Sequence, residues 1–268
     1  MFQNQRRRSG LPIKLIIGLV LAGFALVKYY SNSSYNEITG EKQHISMSAE
    51  QEIAMGMQSA PQMIAEMGGE ISGTQHDALV RQVGEKLVRA SDAMKTVYKD
   101  RFQFHLLADQ RTINAFALPG GQVFITAALY SQLESEDQLA GVLGHEIGHV
   151  VARHSSERLA QMELAQGLTG AVTMATYDPS NPNSAYIAQS VANMLTMKYG
   201  RDQELESDDL GVRFMMQAGY NPEALIGVME ILKKAAGPNR TPEFQSTHPD
   251  PENRIGAIQD AIEKYRGH

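Results

Sequence analysis

The sequence predicts an α+β fold that is mainly α-helical, with one small, mostly antiparallel sheet and a single transmembrane helix ahead of it. Three observations carry this. Apolar residues recur at helical spacing through most of the chain beyond residue 47. Strict alternation of apolar and polar residues is confined to a stretch that begins at Phe102. Residues 11–30 form an apolar run of the length that crosses a hydrocarbon core of about 30 Å.

That run reads LPIKLIIGLVLAGFALVKYY. Lys14 and Lys28 stand near its ends, where their stems can snorkel to the interface, and Tyr29 and Tyr30 suit the interfacial belt. Arg6, Arg7 and Arg8 precede it, so the N-terminus stays in the cytoplasm and the rest is exported. Residues 1–30 are therefore read as a basic tail and uncleaved signal anchor. This places the chain in the inner (cytoplasmic) membrane, single-pass, with its body on the periplasmic side and the membrane as a partner through residues 11–30. The alternative is a soluble periplasmic form after signal cleavage, for which Leu26-Val27-Lys28-Tyr29-Tyr30 offers no small-residue site. Residues 31–46 are polar and read as a linker, and residues 47–268 as the folded domain.

Five of the 24 basic residues lie in the first thirty positions, which leaves 19 against 30 acidic side chains. An acidic body argues against nucleic acid as a partner, because phosphate binding needs clustered positive charge. The chain has no cysteine, so a disulfide framework and a thiolate metal site are both excluded.

The elements follow in order. Ser48 and Gln51 make a capping box that opens a helix running to Gly68-Gly69. A second helix is expected over about residues 77–90. Phe102, Phe104 and Leu106 then alternate with Gln103 and His105 as a half-buried strand, and two further strands flank the turn Pro119-Gly120-Gly121. Ser135 and Gln138 start the next helix, which packs inward through Leu139, Val142, Leu143, Ile147, Val150 and Val151. Gly141, Gly144 and Gly148 interrupt its helix propensity. Such glycines admit a neighbouring backbone or a bound substrate, or serve tight packing alone; the sequence leaves these open. Gly167, Gly170, Pro179 and Pro182 mark residues 167–184 as a loop, with a helical hairpin extended from 159–176 as the alternative. Helices are expected over 185–218, 222–235 and 250–266, with Pro222 and Pro251 at their starts.

The chemistry sits in His145-Glu146-Ile147-Gly148-His149. At about 100° per residue, His149 lies about 40° round the helix from His145, so both rings reach one ion. Glu146 lies beside that ion as a base for water. With no cysteine available, the ion is held by His, Asp or Glu, which favours zinc. Catalytic zinc keeps three protein ligands. The third is sought around Glu204 and Asp208, four apart on one helical face with Arg201 on the neighbouring side. Spacing alone leaves open which carboxylate is the ligand.

Several stretches taken together resemble the HtpX-like and CaaX-prenyl-protease-like zinc metallopeptidases, and within them the periplasmic BepA/LoiP-like branch. They are Gln51-Glu52-Ile53 with Gly56, residues 114–121 (NAFALPGG), the HEIGH helix continuing to Ser155, Arg201 with residues 204–208 (ELESD), and Ser246-Thr247-His248-Pro249. The resemblance spans about residues 46–266. It implies a zincin-like core and one Zn2+ per chain held by His145, His149 and Glu204. Asp208 would orient a ligand from behind with Arg201 nearby, and Glu146 would act as the general base. His248 and Arg254 would lie beside the open metal position, His248 either donating to the oxyanion or binding zinc in a resting state. Ser207 stands where the family usually has Ala. Val123, Phe124 and Ile125 are expected on a sheet edge over the cleft, where extended substrate adds as a strand, and Asn114 either fixes that edge or touches substrate. The implied activity is a membrane-anchored endopeptidase acting on unfolded or misassembled envelope proteins, in contact with envelope assembly machinery. The alternative is a tethered chaperone or assembly factor that uses the same domain mainly to bind polypeptides.

Overall fold

The computed structural model describes residues 13–176, 183–235, 248 and 253–267, of which 175–199 are described by their backbone alone. Helix α1 (Ile13–Ser31) leads into a hairpin of β1 (Ser33–Asn36) and β2 (Glu41–His44). Then come α2 (Ala49–Glu66), α3 (Gln75–Ala90), a 3-10 turn (Asp92–Lys95), β3 (Gln103–Leu107), β4 (Ala115–Leu118), β5 (Gln122–Thr126) and a short α4 (Ala127–Tyr130). The remainder is helical: α5 (Glu136–Val151), α6 (His154–Thr176), α7 (Asn183–Gln217), α8 (Ala224–Ala235) and α9 (Arg254–Arg266). The fold is α+β and dominated by helices, as its periodicity predicts. Arg6, Arg7, Arg8, the Asp250-Pro251 helix start and residues 177–182 fall outside the described residues.

Local chemistry explains the helix starts. The Ser48 hydroxyl accepts from the Gln51 amide while Gln51 answers to the Ser48 amide, a complete capping box. Ser135 caps α5 in the same way through the Gln138 amide, and the Gln138 side chain reaches one residue further back, to the Glu134 amide. α6 runs unbroken through Gly167 and Gly170, where the sequence reading favours a loop; the helical alternative is the one adopted. The cost of two glycines is modest, about 1 kcal/mol each relative to Ala.

The sheet order is β3-β5-β4. β4 and β5 form the expected antiparallel hairpin, with Ala115 opposite Ile125 and Leu118 opposite Gln122. β3 lies parallel to β5, and Glu70 bridges antiparallel to Leu107 on the outer side of β3. β5 is thus the central strand, and all five of its residues are buried. This corrects the expectation that Val123, Phe124 and Ile125 line an edge. Their uninterrupted apolar run is the pattern of a strand covered on both faces. The edge toward α5 is β4, and among the described residues no strand pairs with its outer side.

The segment read as a linker carries structure. Asn36 donates to the Val151 carbonyl at 2.9 Å and Gln43 to the Ala152 carbonyl at 2.5 Å, which pins the β1–β2 hairpin to the end of α5. Arg153, at φ 59, makes the left-handed corner between α5 and α6. It is held there by the Met47 carbonyl at 2.8 Å and by Glu52, which also accepts from the Tyr98 hydroxyl.

One apolar core joins α3, the sheet, α5, α7, α8 and α9 through residues such as Leu87, Phe104, Ile125, Leu143, Phe214 and Ile258. Within it α5 and α7 approach to backbone contact. A methyl group at Gly148 would stand 3.0 Å from the Ser207 carbonyl oxygen, and one at Gly144 would meet Gly211 at 3.4 Å. The glycines of α5 therefore admit a neighbouring helix. Gly148→Ala should push α7 away and cost about 1–3 kcal/mol, the usual penalty of overpacking. Denaturant unfolding measures it, and an unchanged midpoint would show that α7 has room to retreat.

Candidate metal centre

α5 is buried along most of its length and presents His145, Glu146 and His149 to α7. One helical turn separates the two imidazoles, and their Nε2 atoms stand 3.1 Å apart. The close α5–α7 crossing brings Glu204 to them, at 3.3 Å from His145 Nε2 and 3.4 Å from His149 Nε2. His248 completes the group. Its Nδ1 lies 3.1 Å from Glu204 Oε2 and 3.4 Å from His145 Nε2.

These spacings test whether a metal fits. A tetrahedral ion with ligands at about 2.0–2.1 Å has ligand–ligand edges of about 3.3 Å. The contacts measured among His145, His149, Glu204 and His248 run from 3.1 to 3.4 Å, and one ligand atom from each lies within 4.8 Å of all the others. The donor set is nitrogen and oxygen only, and all four side chains are buried. It suits a divalent cation.

Charge is tuned around the same point. Burial raises Glu146 above the ordinary carboxylate range. Among the described residues neither of its buried oxygens has a hydrogen-bond partner, and His248 Nε2 is 3.5 Å from Oε1. A carboxylate held this way in a dry pocket is a strong proton acceptor. Burial and the neighbouring His145 hold His149 well below its usual value, so its ring is neutral and able to ligate. Burial alone would lower His145, but the charge and hydrogen bond of Asp208 prevail and raise it to about 9. Burial opposes ionisation of Glu204 as well; contacts with His145 and His248 win and keep it a carboxylate.

Behind each imidazole stands a partner that fixes its ring. His145 Nδ1 donates to Asp208 Oδ1 at 2.8 Å, which turns Nε2 toward the centre. His149 Nδ1 meets His154 Nδ1 at 2.8 Å, and His154 Nε2 donates to Glu206 at 2.8 Å. Metal binding through His149 Nε2 requires the His149 proton on Nδ1, where it faces His154 Nδ1. Helical spacing within α5 gives neither His154 nor Glu206 a role at this centre. A visible signal is the i, i+5 spacing of His149 and His154 across a turn.

Of the two basic residues expected here, one stands beside the ligand set. Arg254 forks onto Asp208, at 2.6 Å through Nε and 2.9 Å through a terminal nitrogen, with that nitrogen 3.5 Å from His145 Nε2 and 3.7 Å from Glu204. Its charge supports the carboxylates beside the metal position. Arg201 is exposed; the further guanidinium near Glu204 is that of Arg158, at 3.6 Å. Asn114 is buried, and its backbone joins β4 to Thr126 through the Thr126 amide and hydroxyl. The cleft-side strand is β4, whose Ala115 carbonyl lies 3.3 Å from His248 Nε2.

Comparison with known proteins agrees with this geometry. The sequence pattern of Peptidase family M48 matches residues 74–262. The chain is 29% identical to mitochondrial metalloendopeptidase OMA1 of Schizosaccharomyces pombe over 248 residues, covering 91% of this chain and 71% of that one. It is 29% identical to the beta-barrel assembly-enhancing protease of Escherichia coli K12 over 194 residues, which is 70% of this chain and 39% of the relative. The bovine mitochondrial metalloendopeptidase OMA1 is 27% identical over 283 residues, 98% of this chain and 52% of its own length. The chain thus spans well under two thirds of the bacterial and bovine relatives. With the matched region enclosing the HEIGH helix, Glu204 and Asp208, the chain belongs to Peptidase family M48 and is a metalloendopeptidase.

Proposed function

We infer that the protein is a membrane-anchored, zinc-dependent endopeptidase of protein quality control, cleaving unfolded or misassembled polypeptides of the cell envelope. The observation that carries this is the buried carboxylate of Glu146 beside a tetrahedral set of ligand atoms. A domain built only to bind polypeptide has no use for a base held without a hydrogen bond at such a centre.

His145, His149 and Glu204 would hold the ion. When bound, zinc would supply the Lewis acidity that acidifies a water and polarises a carbonyl. Glu146 is the base that would take a proton from the attacking water and deliver it to the leaving amine. Asp208, itself clamped by Arg254, keeps His145 turned toward the centre; His154 and Glu206 do the same for His149. His248, whose Nδ1 lies 3.1 Å from Glu204 and 3.4 Å from His145, would add a further ligand to a bound ion in a closed resting state and would have to leave it for substrate to enter. Extended substrate adds to the outer edge of β4, paired through its backbone with little demand on sequence. That suits chains that have lost their fold. The apolar, largely exposed α1 anchors the protein through residues 11–30, with the domain on the periplasmic side. Polypeptide substrates are the partners; the beta-barrel assembly-enhancing relative suggests nearby assembly machinery by its name.

Glu146→Gln should lower hydrolysis of an unfolded protein such as casein by about 10²–10⁴-fold while zinc content stays unchanged. Hydrolysis at the unsubstituted rate would remove the mechanism. Glu204→Ala should lose zinc by elemental analysis, whereas Glu206→Ala should keep it with affinity weakened about 10–100-fold, as expected for a group that orients a ligand from behind. Full occupancy in the Glu204 variant would point to a different third ligand. His248→Ala should retain zinc and cleave faster; a slower enzyme with intact zinc would make His248 an assisting donor.

A further inference from the structure

α6 leaves the metal centre and runs antiparallel along α1. Lys28 Nζ pairs with Glu163 Oε2 at 2.8 Å. One turn further, a methyl group on Gly167 would stand 2.7 Å from the Ala25 Cβ. The covered positions of α1 step back from there through Ala25, Ala22, Gly18 and Leu15, and those of α6 advance through Leu164, Gly167, Leu168 and Ala171. Small residues on both faces let the backbones close in the manner of membrane helix pairs.

We propose that α6 from Glu163 to Thr176 is embedded in the same bilayer as α1, with lipid acyl chains against its outer face. The inference rests on α1 being the membrane anchor. A helix packed antiparallel on a spanning helix occupies the same depths. From Glu163 to Thr176 is about 20 Å of helix, and from Lys28 back to Ile13 about 22 Å. Thr176 is therefore about level with the start of α1.

The sequence obeys this placement. Between Glu163 and Lys198 the sole charged residue is Asp178, whereas Glu157 and Arg158 precede that stretch and Arg201 and Asp202 follow it. A water-facing helix carries charge on its outer side. Among the described side chains of α6 beyond Glu163, the exposed ones are Gln166, Gly170 and Met174, the last 45% exposed. The Thr173 hydroxyl donates to the Thr169 carbonyl at 2.8 Å, satisfied within its own helix as hydrocarbon requires. At the level of the Lys28–Glu163 pair, Tyr29 and Tyr30 gather on the His44 ring at 4.4 and 5.3 Å, an aromatic group where a headgroup belt belongs.

The chain has no cysteine and no tryptophan, so single reporters can be introduced into the full-length protein. In membranes opened on both faces, a membrane-impermeant maleimide should label Met162→Cys, on the water side of Glu163. Met174→Cys and Val20→Cys should stay unlabelled until SDS is added. Met174→Trp in phosphatidylcholine vesicles with brominated acyl chains should lose fluorescence relative to unbrominated vesicles. Labelling of Met174→Cys with Val20→Cys protected would overturn the embedding of α6 and leave the anchor standing. Labelling of both would remove the anchor beneath it. Protection of Met174→Cys without quenching of Met174→Trp would overturn the inference in favour of a protein contact.

Discussion

The fold depends on one constraint, that α5 and α7 touch backbone to backbone. Gly144 and Gly148 on one helix face Gly211 and Ser207 on the other. A side chain at any of the three glycines would widen the gap and carry Glu204 away from the two imidazoles. A third ligand more than an ångström out of place no longer completes a tetrahedron whose edges are about 3.3 Å. The low helix propensity of glycine is thus offset by the packing it permits, and the apolar core around Leu143, Ile147 and Phe214 keeps the two helices pressed together.

The two imidazoles are oriented by different means. Behind His145 stands a carboxylate gripped by a guanidinium, an arrangement of full charges in a dry interior. Behind His149 stands a second imidazole, His154, that passes the restraint on to Glu206, a residue near the surface. Buried charges of this kind are tolerable because each is paired. Glu146 has only the His248 ring, 3.5 Å from Oε1, and no hydrogen bond among the described residues, and a buried carboxylate so weakly supported survives where function requires it.

Much of this was legible in the sequence because it depends on local spacing. His145, Glu146 and His149 follow from helical periodicity, as do Glu204 and Asp208 four residues apart, and the caps at Ser48 and Ser135 follow from side-chain chemistry. What was not legible depends on the path of the chain between elements. β5 passes between β3 and β4, which no alternation pattern reveals, although the unbroken Val123-Phe124-Ile125 run was a sign of a central strand. His154 faces His149 only because Arg153 adopts a left-handed corner, and that corner needs Glu52 and Met47 from an element about a hundred residues earlier. Arg201 lies near the carboxylates in sequence but at the surface in space, since the nearby charge is supplied by Arg158 from the neighbouring helix.

The corner at Arg153 has a further consequence for selectivity. With it locked, α6 is a strut of fixed length joining the ligand helix to the Lys28–Glu163 pair. From His154 to Glu163 it measures about 14 Å. An extended polypeptide covers about 3.3–3.6 Å per residue, so roughly four residues bridge that gap. On the proposed placement of α1 in the bilayer, the strut would act as a ruler. Bonds in an anchored substrate closer to the membrane than this would lie out of reach of the cleft, and a chain drawn several residues clear of the lipid would come into register with it.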